Sequence, residues 1–135
     1  MKWTYQGQDV ETIDSQYDAF VYCITNLINN RRYIGLKQTK FKKTRSVKGK
    51  KKRHFVESDW REYWSSSEEL KKDVQEIGPE NFTREILYFC VSKAHANYLE
   101  AKEQMDRRVL EHPDQYYNGI INCRVSRNHI KNLIC

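Results

Sequence analysis

Two tyrosines stand eleven positions apart, Tyr22 in Phe20-Val21-Tyr22 and Tyr33 in Tyr33-Ile34-Gly35. A tight hairpin would bring both phenols to one face of a sheet. A lysine or arginine beside a phenol lowers its pKa by favouring phenolate, and a phenolate can take a proton from water. Gly35 would let a second backbone approach closely. Two core tyrosines in a structural hairpin have the same spacing, so the pair alone does not separate chemistry from packing.

The elements that must position them can be read around the pair. Residues 19–25 (AFVYCIT) form a β-type run, Asn29-Asn30 marks a turn, and residues 32–36 read as a strand pairing back on the first. Ser66 and Glu69 have the spacing of a reciprocal capping box. Leu70, Val74 and Ile77 follow at helical spacing, and Gly78-Pro79 stops the helix. Residues 82–91 are apolar enough for a central third strand. Ser92 caps a second helix running to about Glu111, with Ala94, Tyr98, Ala101, Met105 and Val109 on one face. The order β-β-α-β-α predicts a small single α/β domain, a three-stranded and mainly antiparallel sheet flanked by helices. Residues 1–18 read as an N-terminal extension, 19–123 as the domain with a basic loop at 37–56, and 124–135 as a tail.

The 135 residues hold 24 Lys and Arg against 18 Asp and Glu, a net charge of +6. The asymmetry is sharper than that total. No acid occurs from Ala19 to Val56, a stretch that holds twelve basic residues. A cluster of this density offers a polyanion many phosphate contacts and releases counterions on binding. Lys37, Lys40, Lys42, Lys43, Arg45, Lys50, Lys51, Lys52 and Arg53, with Trp60 and Trp64 close by, are the expected DNA-gripping residues. A solvated lysine-rich loop is the plainer alternative. Mean hydropathy is −0.90, yet three Trp, nine Tyr and five Phe argue against disorder. No apolar run reaches the roughly 20 residues that span a bilayer, and residues 1–16 lack a signal-type core. Four scattered cysteines without a CxxC pair argue against a zinc cluster and for reduced thiols. The expected setting is the cytoplasm of a bacterial or phage-infected cell.

Phe20-Val21-Tyr22 and Tyr33-Ile34-Gly35 at this step resemble the paired motifs of the GIY-YIG nuclease superfamily, with Phe20 and Val21 in place of the first motif's Gly and Ile. YWSSSEEL at 63–70, IGPENF at 77–82 and REIL at 84–87 look like the middle of free-standing phage homing endonucleases of this group. YLEAKE at 98–103 resembles the metal-ligand helix and Tyr117-Asn118 the closing motif; the likeness runs over residues 19–123. It implies hydrolysis of phosphodiester bonds in double-stranded DNA, leaving a 5′-phosphate and a 3′-hydroxyl. Tyr22 and Tyr33 would be the hairpin tyrosines, one of them helping to deprotonate water. Glu100 would bind Mg²⁺ or Mn²⁺, with Glu103 as substitute, and Asn118 would brace the site. A catalytic arginine is also implied. Its usual place falls near Lys43 and Arg45 in the basic loop, so Arg61 is preferred and Arg53 comes second. A non-catalytic DNA-binding module of the same fold is the rival reading, a docking partner of a larger complex the third. The resemblance leaves a homodimer or a specificity-giving partner open.

Overall fold

The computed structural model describes residues 2–47 and 49–130, and of residues 42–47, 51–54 and 130 the backbone. In chain order the elements are β1 (Trp3–Tyr5), β2 (Gln8–Asp9), β3 (Ala19–Asn26), β4 (Arg32–Gln38), β5 (Lys40–Val47), β6 (Lys50–Glu57), α1 (Glu68–Ile77), β7 (Phe82–Cys90), α2 (Lys93–Asp106) and α3 (Arg127–Ile130). Five strands make one sheet in the order β2-β1-β7-β3-β4, while β5 and β6 pair only with each other. β3 is antiparallel to both β4 and β7, and β1 runs parallel to β7.

Side chains alternate across a strand, so β3 serves two cores. Phe20, Tyr22 and Ile24 face a cluster with Trp3, Trp60, Phe82, Ile86 and Tyr117, closed by Leu70 and Val74 of α1. Ala19, Val21 and Cys23 face Ile34, Cys90, Val109 and Tyr116, closed by Ala96 and Leu99 of α2. A strand buried on both faces reads as continuous apolar sequence, which is why 19–24 was legible as a strand.

Several expectations are corrected. The sheet has five strands rather than three, because residues 3–5 and 8–9 join it. Residues 2–18 are therefore no appendage. The Trp3 indole is 1% exposed, packs edge-on against Phe20 and Tyr22 at 5.1 and 5.3 Å, and donates to the Trp60 carbonyl at 2.7 Å. A three-residue strand carries too little periodicity to announce itself. Ser67, not Ser66, caps α1 by accepting from the Leu70 N–H. α2 ends at Asp106, after which Arg108 takes the left-handed conformation at φ 53°. Its buried stripe is His95, Ala96, Leu99, Ala101 and Gln104, while Met105 is exposed. Gln104 holds a core position because its amide donates to the Ile34 carbonyl at 3.0 Å.

The basic loop is an antiparallel hairpin, with Lys40 opposite Glu57 and Val47 opposite Lys50. Among the described residues no helix is long and apolar enough to cross a membrane. Of Ile130, Leu133 and Ile134, which the sequence offers as a dimer contact or as core, the last two and the Ile130 side chain lie outside what is described.

Replacing Trp3 by Ala should destabilise the protein by about 3–5 kcal/mol, the range for deleting a large buried aromatic. Urea unfolding reads this directly; a loss under about 1 kcal/mol would return residues 2–18 to the status of an appendage.

Candidate active site at the edge of the sheet

β4 is the last strand of the sheet, so one row of its backbone groups has no strand to pair with. The chain covers that row residue by residue. Arg32 N–H donates to the Gln115 carbonyl, and the Tyr117 N–H donates to the Arg32 carbonyl. At Ile34 the Asn118 side chain acts in both senses, Oδ1 accepting the N–H at 3.0 Å and Nδ2 donating to the carbonyl at 2.8 Å. The Glu100 carboxylate lies near the next outward N–H, on Leu36, which favours its ionised form. Farther on, Ser58 Oγ donates to the Gln38 carbonyl at 2.6 Å. Asn118 and Glu100 thus take neighbouring positions along one edge, two residues or roughly 7 Å apart.

The phenols sit over the same stretch. Tyr22 lies opposite Gly35 in the β3–β4 register, and its ring is 6.2 Å from that of Tyr33. A Cβ at Gly35 would fall 2.5 Å from the Tyr22 hydroxyl and 2.9 Å from the Tyr33 ring. Only glycine leaves room for both phenols. Tyr63 completes the cluster, its ring edge-on to Tyr22 at 6.1 Å. Tyr33 shares a 3.1 Å hydrogen bond with Ser66 Oγ.

Glu100 is close enough for its charge to push both phenols up. Its own carboxyl is raised to about 7 by burial, with the Leu36 N–H opposing the rise. Among the described residues no basic side chain forms an ion pair with it. A half-buried carboxylate without a counter-charge suits a cation, and a hard ion that keeps most of its water needs few protein oxygens. No group of three or more acidic, His or Cys side chains stands together among the described residues. Glu103 does not compete for the role. It receives Tyr88 Oη–H at 2.5 Å and Arg107 Nε–H at 3.0 Å, and its carboxyl is lowered.

Other expectations change. The phenols are not ionised more easily than usual: burial raises Tyr33, and raises Tyr22 well above the ordinary range. Tyr22 is 1% exposed whereas Tyr33 is only partly buried, so of the two it is Tyr33 that water can reach. Arg61 is not with the phenols. Its guanidinium bonds the Glu57 carboxylate and the Glu11 carbonyl and lies over Trp60 at 4.5 Å. Trp60 is 1% exposed and donates to Glu57. Trp64 lies against the Arg84 guanidinium at 4.4 Å. Trp60 is thus sealed from a duplex, while Trp64 is partly buried.

Lys37, expected to grip phosphate, is folded inward with its side chain 11% exposed, 2.6 Å from Asp59. Its ammonium stands 4.1 Å over the Tyr63 ring. Residues 33, 35 and 37 share one face of β4, so strand alternation could have placed Lys37 beside the tyrosines. Tyr63 had no such signal, being 41 positions from Tyr22. Lys40 is tethered to the Ser15 carbonyl and to Asp18, and Lys50 is exposed. The backbones of Lys42, Lys43, Arg45, Lys51, Lys52 and Arg53 lie in the hairpin; their side chains are outside those described.

A family model described as "Putative endonuclease segE, GIY-YIG domain" matches residues 3–121. No match was found among curated proteins or among solved structures.

Two outcomes follow from the geometry. The Glu100 carboxyl keeps its proton to about pH 7 when folded and loses it near 4.5 when unfolded. Its contribution to stability is therefore full below pH 4.5 and lost as pH rises to 7. Glu100→Gln should raise Tm relative to the unmodified protein at pH 8 but not at pH 4.5. Equal differences at both pH values would mean the carboxylate bears no burial cost. Gly35→Ala should displace the Tyr22 ring and lower Tm by several degrees; an unchanged Tm and tyrosine fluorescence would show the close approach to be absent.

Proposed function

The chain belongs to the GIY-YIG endonuclease family, and from that premise we propose that it hydrolyses double-stranded DNA with a divalent cation, Mg²⁺ or Mn²⁺, held at Glu100. The observation that carries this reading is the convergence of Tyr33, Tyr22 and an uncompensated Glu100 carboxylate on the part of the β4 edge that Gly35 keeps open. When bound, such a cation stabilises charge on a phosphoryl oxygen and acidifies coordinated water.

The chain's own groups have distinct parts. Tyr33, reachable by water and bonded to Ser66, orients the attacking water and takes its proton when it is itself ionised to phenolate. Ser66 donation to its oxygen favours phenolate, against the burial that disfavours it. Tyr22, sealed against Gly35 and Tyr63, holds the Tyr33 ring in place. Asn118 acts through the backbone, fixing Ile34 between the two working residues of the strand. Lys37, positioned by Asp59, is the cation set beside the phenols, the place where Arg61 was expected. The products expected are a 5′-phosphate and a 3′-hydroxyl. The homing-type, phage-encoded character expected from the sequence is part of the same proposal.

Supercoiled plasmid incubated with the protein should be nicked or linearised when Mg²⁺ is present and left intact with EDTA. Activity should rise with pH through about 7, because the cation needs Glu100 ionised. Glu100→Ala should lose cleavage by 10³-fold or more, on the order expected for removing a metal ligand, while retaining DNA binding. Tyr33→Phe should lower kcat more than Tyr22→Phe does. Intact plasmid across metal and salt titrations would leave the non-catalytic DNA-binding module as the better reading.

A further inference from the structure

The hairpin β5–β6 pairs only with itself. It stands outside the main sheet, and isolated two-stranded hairpins are marginal in water. Residues 40–57 contain nine Lys or Arg and one acid, Glu57. The register places Arg45 opposite Lys52, and like charges directly opposed destabilise a ladder. The base, by contrast, is firmly held. The Ser58 N–H donates to the Thr39 carbonyl, Thr39 donates through N–H and Oγ1 to the Asp18 and Tyr17 carbonyls, and Lys40 reaches Ser15. A rigidly rooted ribbon that repels itself along its length is relieved by a polyanion laid against it.

The two faces of the ribbon are not equivalent. By the register, positions 41, 43, 45, 50, 52 and 54 share one face and 40, 42, 51, 53 and 55 the other. At the root, Phe41 of the first face lies 5.1 Å from the Lys37 ammonium, which covers Tyr63 of the tyrosine cluster. The second face begins at Lys40, which is turned toward the N-terminal segment. The first face is continuous with the candidate active site; the second is not.

We propose that β5–β6 is a β-ribbon that enters the major groove of duplex DNA by the face carrying Phe41, Lys43, Arg45, Lys50 and Lys52, and so fixes the distance between the contacted base pairs and the cut. A two-stranded ribbon about 5 Å between strands fits a groove about 12 Å wide, and its right-handed twist follows the groove. From Gly35 to Val47 the contour is roughly 40 Å at 3.3 Å per residue. The cut therefore lies no more than about 12 base pairs from the farthest base contact, at 3.4 Å per base pair.

The proposal rests on the nuclease reading, so the test separates the two. Duplex binding is measured on the full chain carrying Glu100→Gln, and cleavage on the protein with Glu100 in place. Neutralising Lys43, Arg45, Lys50 and Lys52 to Gln should weaken binding on the order of 10²-fold, with a shallower salt slope. Neutralising Lys42, Lys51 and Arg53 should cost less than about fivefold. Methylation of guanine N7, which lies in the major groove, should impede binding, whereas a minor-groove ligand such as netropsin should not. Circular dichroism and Tm should be unchanged in both sets, since neither touches the two cores. Equal losses for the two sets, or competition by netropsin with no effect of N7 methylation, would overturn the ribbon while leaving cleavage as evidence for the nuclease. Asymmetric binding by a protein that never cuts would overturn the nuclease reading and leave the ribbon standing.

Discussion

A sheet cannot leave a row of N–H and C=O groups bare without cost, and the outer edge of β4 is where this domain meets that constraint. Each solution is a different part of the chain: the Gln115–Tyr117 backbone at Arg32, the Asn118 amide at Ile34, the Glu100 carboxylate at Leu36, and the Ser58 hydroxyl at Gln38. The site follows from the list. A carboxylate set beside a backbone N–H is drawn into partly buried surroundings, where its charge lacks a partner. The same edge that needs covering therefore holds the group best suited to a cation.

The aromatic cluster works in the opposite electrostatic sense from simple expectation. Basic residues are abundant in the chain, yet burial dominates at the phenols and holds them protonated. Lys37 does reach the cluster, but Asp59 at 2.6 Å shares its charge. Nine of the 24 Lys and Arg fall in the stretch 40–57 that holds the hairpin.

The two apolar cores and the basic hairpin are separate parts of the chain. The two cores on the faces of β3 hold the large apolar side chains, sealed by Trp3, Trp60 and the Arg84 guanidinium, which binds the carbonyls of Arg61 and Tyr63. None of the described side chains of the hairpin belongs to either core, and residues 40–57 hold nine Lys or Arg. That division explains why Trp60, beside a basic stretch in sequence, belongs to packing.

The linear sequence determined β3, β4, β7 and both main helices, because each carries its own periodicity and stop signals, and it brought Tyr22, Tyr33, Glu100 and Asn118 forward through motif order. It could not determine the neighbours of those residues. β1 is too short to show a pattern, so Trp3 was invisible as core. Arg61 and Lys37 are both basic in sequence; only the packed sheet decides that the first turns to Glu57 and Glu11 while the second turns to Tyr63. Local propensity is written over a few residues, whereas burial, counter-charge and edge pairing depend on segments brought together from tens of residues apart.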